Sequence, residues 1–259
     1  MLLVKRQEAI IDVLKKTKSA SFKKLSDELN VSVSTIRRDV LELEDQYPIS
    51  ITRGGVVYNE NKKAVVTGFN NDSDDCDIEY EISLANIGSK AMSLIKEGDT
   101  IIIDGGYTSY QLAQAIKNSP DDLRISVITT SLDVAEALKD KIPSMNLIII
   151  GGEFRGKYRS LTGSLAEDAI KKIKVNKAFI SVSGITEEGF YTSMMSEVTL
   201  RQCVCNISEQ VIIMAHNKKF NNNSGFFVAA LDKINKIITN SKDEPWDEIC
   251  KNHDIELIY

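Results

Sequence analysis

Cysteine and histidine are scarce in this sequence, which excludes two common ways of stabilising a small domain. The 259 residues include four cysteines and two histidines, too few and too scattered for a disulfide framework or a paired C-x-x-C zinc site. Long apolar runs are lacking too, and Lys5 and Arg6 interrupt the first one. We therefore expect a soluble cytoplasmic protein with no metal, no cofactor and no membrane partner.

An excess of basic residues is also lacking, since the net charge is −5. Residues 1–58, however, carry ten Lys/Arg against eight Asp/Glu, an excess of two positive charges. DNA affinity depends on where cations face rather than on their sum. The placement of the arginines therefore has to decide whether this segment binds nucleic acid.

Three helical patterns and a hairpin pattern open the chain. Apolar spacing predicts helices over about 5–16, 22–30 and 33–45, with Ser21 and Ser32 as N-caps of the second and third. The next apolar residues alternate in ISITRGGVVY, where Gly54 and Gly55 can supply the positive φ angles of a hairpin turn. We predict a winged helix-turn-helix domain over 1–58.

The third helix is the candidate DNA-reading element. Val33, Ile36 and Val40 are expected to face inward, with Asp39 directed at a cation within the domain. The outward residues at the start of this helix can then enter a major groove, where Arg donates two hydrogen bonds to guanine. The candidate DNA-binding residues are Ser34, Thr35, Arg37, Arg38 and, on the wing, Arg53. Adjacent arginines on a helix are also often only a solvated face.

An α/β domain is predicted over 82–259, after a polar linker at 59–81. Seven short β-branched runs alternate with helical patterns: GDTIIID, RISVITT, NLIII, KAFISVS, EQVIIMA, KIITN and IELIY. This alternation is typical of an open, mostly parallel sheet that is covered by helices on both faces. The fold class is therefore α/β behind a winged helix-turn-helix.

Three of these runs end in glycines, hydroxyls or cations. Ligands bind at the carboxyl ends of strands in open α/β sheets, so we expect an effector site there. The candidates are Asp104, Gly105, Gly106, Thr108 and Ser109 after the first run, Thr129, Thr130 and Ser131 after the second, and Gly152, Arg155 and Arg159 after the third. The alternatives are that the glycines serve turns, TTS caps a helix and the arginines are solvated.

The stretch VSVSTIRRDVLELE, followed by RGG, resembles the DNA-binding signature of the DeoR-type regulators of sugar metabolism. That family places behind its winged helix a sugar-phosphate-binding domain similar to ribose 5-phosphate isomerase. The resemblance implies that Thr35, Arg37, Arg38 and Arg53 touch an operator duplex, and that a phosphorylated sugar is the effector.

The resemblance extends to the loops of the second domain. DGGYTS, TTS and the GG…LTG stretch are similar to three ligand loops of the family, with Tyr107 where a small hydroxyl residue is usual. SGI, MMSEVTLRQ and AHNKKF are similar to further elements, which implies that Gly184, Glu197 and Lys219 lie in the pocket. His216 stands where the family has an aspartate.

Three functions fit these observations. The first is a repressor of sugar-metabolism genes that binds DNA as a dimer or tetramer under control of a sugar phosphate. The second is an isomerase-like enzyme with Glu197 as general base and Lys219 as electrostatic stabiliser, although Glu197 also has the spacing of an ion pair with Arg201. The third is a winged-helix module for protein partners. We favour the repressor, with no catalytic residues.

Overall fold

The computed structural model describes residues 3–44, 49–51, 55–58, 78–119, 123–141 and 144–259. The chain forms two compact units, Met1–Gly68 and Phe69–Tyr259, which we call the head and the sensor and describe separately. The predicted Arg53 lies outside the described residues, as do the side chains of Ser34 and Arg38. Within the described ranges, no helix is both long and apolar enough to cross a bilayer.

The head contains three helices and a small antiparallel sheet in the order β1-β3-β2. Its elements are α1 (Leu3–Thr17), β1 (Ser19–Ser21), α2 (Phe22–Leu29), α3 (Val33–Glu44), β2 (Ile49–Ile51) and β3 (Gly55–Tyr58). The predicted caps are confirmed, since the Ser21 hydroxyl accepts the Lys24 N–H and the Ser32 hydroxyl accepts the Thr35 N–H, each at 3.1 Å.

Two local predictions for the head were wrong. Val33 is 38% exposed because it begins α3 beyond the packed part of the helix, and Ile36 and Val40 fill the core without it. Of the two glycines predicted to supply positive φ angles, Gly54 lies outside the described residues and Gly55 is not among the residues found with a positive φ. Glycine is required there because a Cβ would lie 2.3 Å from the Ala20 carbonyl oxygen of β1, a strand that the periodicity did not predict.

The sensor is built around a seven-stranded sheet in which all neighbouring strands are parallel. The strands are β4 (Thr100–Ile103), β5 (Ser126–Thr129), β6 (Asn146–Ile149), β7 (Glu153–Arg155), β8 (Ser160–Thr162), β9 (Val175–Ser181), β10 (Gly184–Thr186), β11 (Gly189–Thr192), β12 (Ser208–Met214), β13 (Phe226–Ala229), β14 (Lys236–Ile238) and β15 (Glu256–Ile258). The main sheet has the order β15-β14-β12-β9-β4-β5-β6, so its strands are the seven predicted runs.

Helices cover both faces of this sheet, as predicted. They are α4 (Ile78–Ser93), α5 (Tyr107–Asn118), α6 (Leu132–Leu138), α7 (Ser164–Ile170), α8 (Met195–Ile207) and α9 (Glu244–Asn252). Alternate residues of β9 show the division, since Phe179 packs with α4, α5 and α6 whereas Ala178 and Ile180 pack with α7, α8 and α9. Helix α4 begins at Ile78, so residues 78–81 of the predicted linker are helical.

Two small antiparallel sheets were not predicted. They are the β7–β8 hairpin and the sheet β10-β11-β13. Both lie in the sequence between strands of the main sheet and carry loops toward its carboxyl edge. The main sheet reverses its direction of growth at β4, whose neighbours are β5 and β9. Such a switch point is where open α/β sheets bind ligands.

Candidate functional sites in the head and the sensor

The start of α3 presents Thr35 and Arg37. Arg37 is exposed, and its guanidinium carbon lies 5.0 Å from the centre of the buried Phe22 ring on α2. An aromatic ring beneath a guanidinium stabilises it and fixes its direction. The Thr35 hydroxyl is 2.7 Å from the hydroxyl of the capping Ser32. The structure thus holds one predicted DNA-binding arginine outward and ties the predicted threonine to the helix cap.

Asp39 lies on the opposite side of α3. Its carboxylate receives hydrogen bonds from Arg6 of α1 at 2.5 and 3.0 Å, and both residues are buried. The expectation that Asp39 pairs with a cation within the domain is confirmed. Asp39 therefore belongs to the packing of the head, whereas Arg37 is exposed on the other side of α3.

A cavity of about 230 Å³ opens at the carboxyl ends of β4 and β9 in the sensor. Its wall combines hydroxyls, three tyrosines, one carboxylate and two cations. The lining residues are Tyr80, Gly105, Gly106, Tyr107, Thr108, Tyr158, Ser160, Ser181, Val182, Ser183, Thr192, Ser193, Met194, Glu197, Arg201 and Lys219. Five of the predicted effector residues, Gly105, Gly106, Thr108, Glu197 and Lys219, are therefore brought together.

Arg201 of α8 links two acidic residues at the base of this cavity. Its Nη2 lies 2.8 Å from Asp104 Oδ2 and 3.1 Å from Glu197 Oε2, and it donates to the Gly105 carbonyl at 3.2 Å. The predicted i,i+4 pair with Glu197 exists, but Arg201 is only 5% exposed, so this is not a surface ion pair. Sequence reasoning did not select Arg201 for the site, although its spacing from Glu197 was the available signal.

Asp104 is the residue of this cluster whose pKa departs most clearly from its usual value. Burial raises the pKa of Asp104 to about 6, Glu197 acts in the same direction, and Arg201 opposes both. Glu197 also accepts a hydrogen bond from the Thr192 hydroxyl at 2.9 Å. The predicted residue Asp104 thus lies behind Gly105 as a partner of Arg201 rather than in the cavity wall.

The turn between β4 and α5 requires glycine at position 106. Gly106 has φ = 144°, and a Cβ would lie 2.5 Å from the Cβ of Ser181. The N–H and hydroxyl of the fully buried Ser109 both lie 2.7 Å from the Ser181 hydroxyl. Ser109 therefore joins α5 to the end of β9, while Thr108 faces the cavity.

Lys219 approaches the cavity from the loop after β12. It ends a short 3-10 turn, Asn217–Lys219, which is capped by His216, since Nδ1 of His216 accepts the Lys218 N–H at 3.1 Å. Among the described residues, no carboxylate lies within ion-pair distance of Lys219. Burial, with the charges of Lys218 and Lys219, lowers the pKa of His216 to about 4.

The second predicted loop has a different role. The Thr129 hydroxyl donates to the Ile103 carbonyl at 2.8 Å, and the Ser131 hydroxyl accepts the Val134 N–H at 3.3 Å as the N-cap of α6. Thr130 accepts the Leu161 N–H through its carbonyl. In the described chain none of the three lines the cavity, because β5 lies on the far side of β4 from β9. Ser131 thus has the helix-cap role that the alternative gave to this loop.

The remaining predicted residues also lie outside the cavity wall as far as the structure describes it. Arg159 pairs with the buried Asp133 at 2.6 Å, and Arg155 contacts Thr162 at 3.2 Å. Gly152 and Gly184 allow close backbone approach, since a Cβ would lie 2.5 Å from the Thr162 carbonyl oxygen or 2.0 Å from that of Asn222. These residues shape the loops and do not line the cavity.

Several cavity residues were missed. Ser181 and Thr192 are the last residues of β9 and β11, Ser183 and Ser193 come shortly after these strands, and Tyr158 and Ser160 belong to the segment before and within β8. The hydroxyls after β9 had the same signal as those after β4, namely polar side chains directly after a β-branched run. Across the described ranges, no group of three or more potential metal ligands is found.

Comparison with known proteins matches both units. The model of the DeoR-like helix-turn-helix domain matches residues 6–62, and that of the DeoR C terminal sensor domain matches residues 84–241. The lactose phosphotransferase system repressor of Lactococcus lactis is 32% identical over 93% of this chain and 92% of its own. The L-fucose operon activator of Haemophilus influenzae is 28% identical over 98% of each chain.

A solved ribose 5-phosphate isomerase from Methanocaldococcus jannaschii is similar over 54% of each chain, with a TM-score of 0.40 and 14% identity, a likeness too distant to bear on activity. The matched domain models and the relatives, aligned over nearly their full lengths, agree with the resemblance seen in the DNA-reading helix. This chain belongs to the DeoR family and is a DNA-binding transcription regulator, with a helix-turn-helix domain followed by a sensor domain.

Proposed function

We propose that this protein represses genes of sugar metabolism and that a phosphorylated sugar in the sensor cavity controls its affinity for the operator. The observation that carries the proposal is the pairing, in one chain, of an outward arginine on a DNA-reading helix with a polar cavity at the switch point of the sensor sheet. Neither feature alone would indicate regulation by a ligand.

The head binds duplex DNA through the start of α3. Arg37, held over Phe22, donates to a guanine, and Thr35 contacts a phosphate or a base edge. Ser34, Arg38 and Arg53 complete the proposed contacts, with Arg53 reaching the DNA from the wing. Within these two units, we propose a DNA-binding domain at residues 1–58, a linker at 59–81 and a sugar-phosphate-binding domain at 82–259.

The sensor cavity has the chemistry expected for a sugar phosphate. Lys219 supplies a positive charge. Thr108, in the first turn of α5, supplies a backbone N–H that has no acceptor within the helix. The phosphate binds between these two groups. Glu197 and Thr192 accept and donate hydrogen bonds to sugar hydroxyls. The cavity, of about 230 Å³, has room for a compound of this size.

Control of transcription requires two heads, because helix-turn-helix proteins usually read paired half-sites. We therefore propose a homodimer or a tetramer in the cytoplasm, in which ligand changes how the heads are presented. One relative is named a repressor and another an activator. We propose that this protein is a repressor that ligand releases from DNA, and ligand-strengthened DNA binding is the alternative outcome of the test.

We propose no catalytic activity for the sensor. Glu197, the candidate general base, binds both Arg201, at 3.1 Å, and the Thr192 hydroxyl through Oε2, which gives it a structural role and leaves Oε1 for a sugar hydroxyl. Incubation of the full chain with ribose 5-phosphate or fructose 6-phosphate in deuterated water tests this point. Deuterium at the carbon next to the carbonyl would support the isomerase alternative instead.

The regulatory proposal is tested in two steps on the full chain. Selection from a randomised duplex pool at low salt should enrich one sequence with two related half-sites, and enrichment of none would contradict DNA reading. Ribose 5-phosphate, glucose 6-phosphate and fructose 6-phosphate are then titrated against the selected complex. A bound sugar phosphate at a hundred times its Kd should stabilise the protein by about 2.7 kcal/mol and change its duplex affinity.

A further inference from the structure

The first turn of α4 contacts the sensor cavity through two adjacent side chains. Tyr80 belongs to the cavity wall, and Glu81 accepts a hydrogen bond from the hydroxyl of Tyr107, which also lines the cavity. In the sequence, residues 59–77 lie between β3, the last strand of the head, and α4, the first helix of the sensor. One helical turn therefore touches the ligand cavity and is next in the chain to the connection with the head.

Both contacts involve loops that carry proposed ligand-binding groups. Tyr107 is the first residue of α5 and precedes Thr108. The Tyr80 ring packs against the His216 ring at a centroid distance of 4.7 Å, and Lys218 Nζ lies 5.2 Å from the Tyr80 ring centre. The loop that holds Lys219 is thus in contact with the same turn of α4.

The rest of α4 is fixed by the core. Leu84, Ile87 and Ala91 are fully buried, and Gly88 lies so close to α5 that a Cβ would be 2.5 Å from the Gln111 backbone. Ile82, in contrast, is 57% exposed. The described side chains of the first turn therefore hold it to the sensor mainly through Tyr80 and Glu81, and a change in these contacts can release the turn without disrupting the core.

We propose that Tyr107 is a positioning residue that transmits occupancy of the cavity to the first turn of α4 through its hydrogen bond with Glu81. This inference rests on the proposed function and names the regulation of its site. A ligand packed against the rings of Tyr107 and Tyr80 restricts both side chains and so stabilises the hydrogen bond. The resulting shift cannot exceed the difference in ligand affinity between the held and the released turn.

The test uses Tyr107→Phe in the full chain, because phenylalanine keeps the ring in the cavity wall and removes only the hydroxyl. Tyr191→Phe is the matched control, since the Tyr191 hydroxyl also donates to a glutamate, Glu188 at 3.1 Å, and Tyr191 lies outside the described cavity wall. Duplex affinity is measured with and without ribose 5-phosphate, glucose 6-phosphate or fructose 6-phosphate, and the affinity for each sugar phosphate is measured separately.

Because Tyr107 lines the cavity, each sugar phosphate is added to saturation of wild type and of Tyr107→Phe, so that a change of ligand affinity does not enter the comparison. The change in duplex affinity caused by the active sugar phosphate should be smaller in Tyr107→Phe than in wild type by about fivefold or more, within the usual range of allosteric coupling. Glu81→Gln should act in the same direction, and Tyr191→Phe should respond as wild type. A full ligand response in Tyr107→Phe overturns the inference and leaves the proposed function intact.

Amide exchange gives a readout that needs no ligand. The N–H groups of residues 82–85 donate to carbonyls of the first turn, so their exchange reports whether that turn is held. Exchange at 82–85 should be about fivefold faster in Tyr107→Phe than in wild type, for the loss of about 1 kcal/mol. Unchanged exchange there would refute the contact. A wild type that responds to none of the three sugars would instead count against the proposed function and the inference together.

Discussion

The guanidinium of Arg6 and the carboxylate of Asp39 form a doubly hydrogen-bonded ion pair inside the head, with N–O distances of 2.5 and 3.0 Å. This pair joins α1 to the inner side of the DNA-reading helix. Asp39 has no exposed surface, so replacing it with asparagine removes a buried negative charge from this ion pair.

Asp39→Asn should therefore lower the free energy of unfolding of the head by about 3 kcal/mol, the usual cost of breaking a buried pair from one side. Urea denaturation of the full chain measures the loss, and amide exchange of α1 and α3 in the folded protein shows that it lies in the head. Asp27→Asn changes an exposed aspartate of α2 and should cost no more than about 0.5 kcal/mol. Equal effects of the two variants would show that the pair does not support the head.

Arg37→Ala should weaken binding of the selected duplex by about 1–3 kcal/mol, because it removes the proposed bidentate contact with guanine. Its effect on the free energy of unfolding should be small, since Arg37 is exposed. Fluorescence anisotropy at several salt concentrations measures the affinity. Lys15→Ala, which removes an exposed cation near the end of α1, is the charge-matched control. If both variants weaken binding equally on every sequence, Arg37 acts only through its charge.

Lys219→Ala should reduce the affinity for the active sugar phosphate by about 1.5–3 kcal/mol, the value of a hydrogen bond to a charged group. Isothermal titration calorimetry of the full chain gives this number. Lys172→Ala, an exposed lysine outside the described cavity wall, should leave the affinity unchanged. Binding that survives Lys219→Ala intact would mean that the phosphate lies elsewhere in the sensor.

Gly106→Ala should destabilise the sensor more than Gly98→Ala. Both residues have a positive φ, 144° and 84°, but no described atom lies within 4 Å of a Cβ at Gly98. The conformational cost at each position is about 1–3 kcal/mol, and Gly106→Ala adds the contact with Ser181. Thermal unfolding compares them. Equal losses would indicate that the β4–α5 turn yields to the added methyl group.

The stability of the sensor should depend on pH through His216. Its pKa in the folded protein is lowered to about 4, from 6.5 for the free side chain, so the unfolded chain takes up this proton first as the pH falls. The stabilising effect is present above pH 6.5 and is lost between pH 6.5 and about 4. His216→Asn, which can still cap the 3-10 turn, should remove this loss.

Free energies of unfolding for wild type and His216→Asn, measured from pH 7 to pH 4, test the prediction. The stability of wild type relative to the variant should decrease as the pH falls through this window. A constant difference would mean that His216 is protonated in the folded protein as readily as in the unfolded chain.

Local patterns in the sequence were sufficient for the strands of the main sheet and for the three helices of the head, but not for β1 or the two small antiparallel sheets. β-Branched runs such as KAFISVS gave each strand of the main sheet, and the spacing of serine before apolar periods gave the caps of α2 and α3. The inward direction of Asp39 followed from its place on the helix. These features depend on interactions within a few residues, which is why periodicity and capping chemistry could predict them.

The composition of the cavity depends on the order of strands, which no local pattern specifies. Thr129 and Ser181 each follow a β-branched run, but only Ser181 lines the cavity, because β9 and not β5 lies on the ligand side of β4. The contact of Arg201 with Asp104 joins residues far apart in the chain, so the spacing of Arg201 from Glu197 could not predict it. Tyr107 and Glu81 meet for the same long-range reason.

The close approach of Gly55 to Ala20 limits how a ligand can act on the DNA-binding domain. Strand β3 of the wing is paired with β1, and β1 leads directly into α2. The wing strand is therefore fixed relative to α2 within the head. For the proposed dimer or tetramer, we expect ligand to change which half-site spacings the heads accept and to leave the base preference within one half-site as it was.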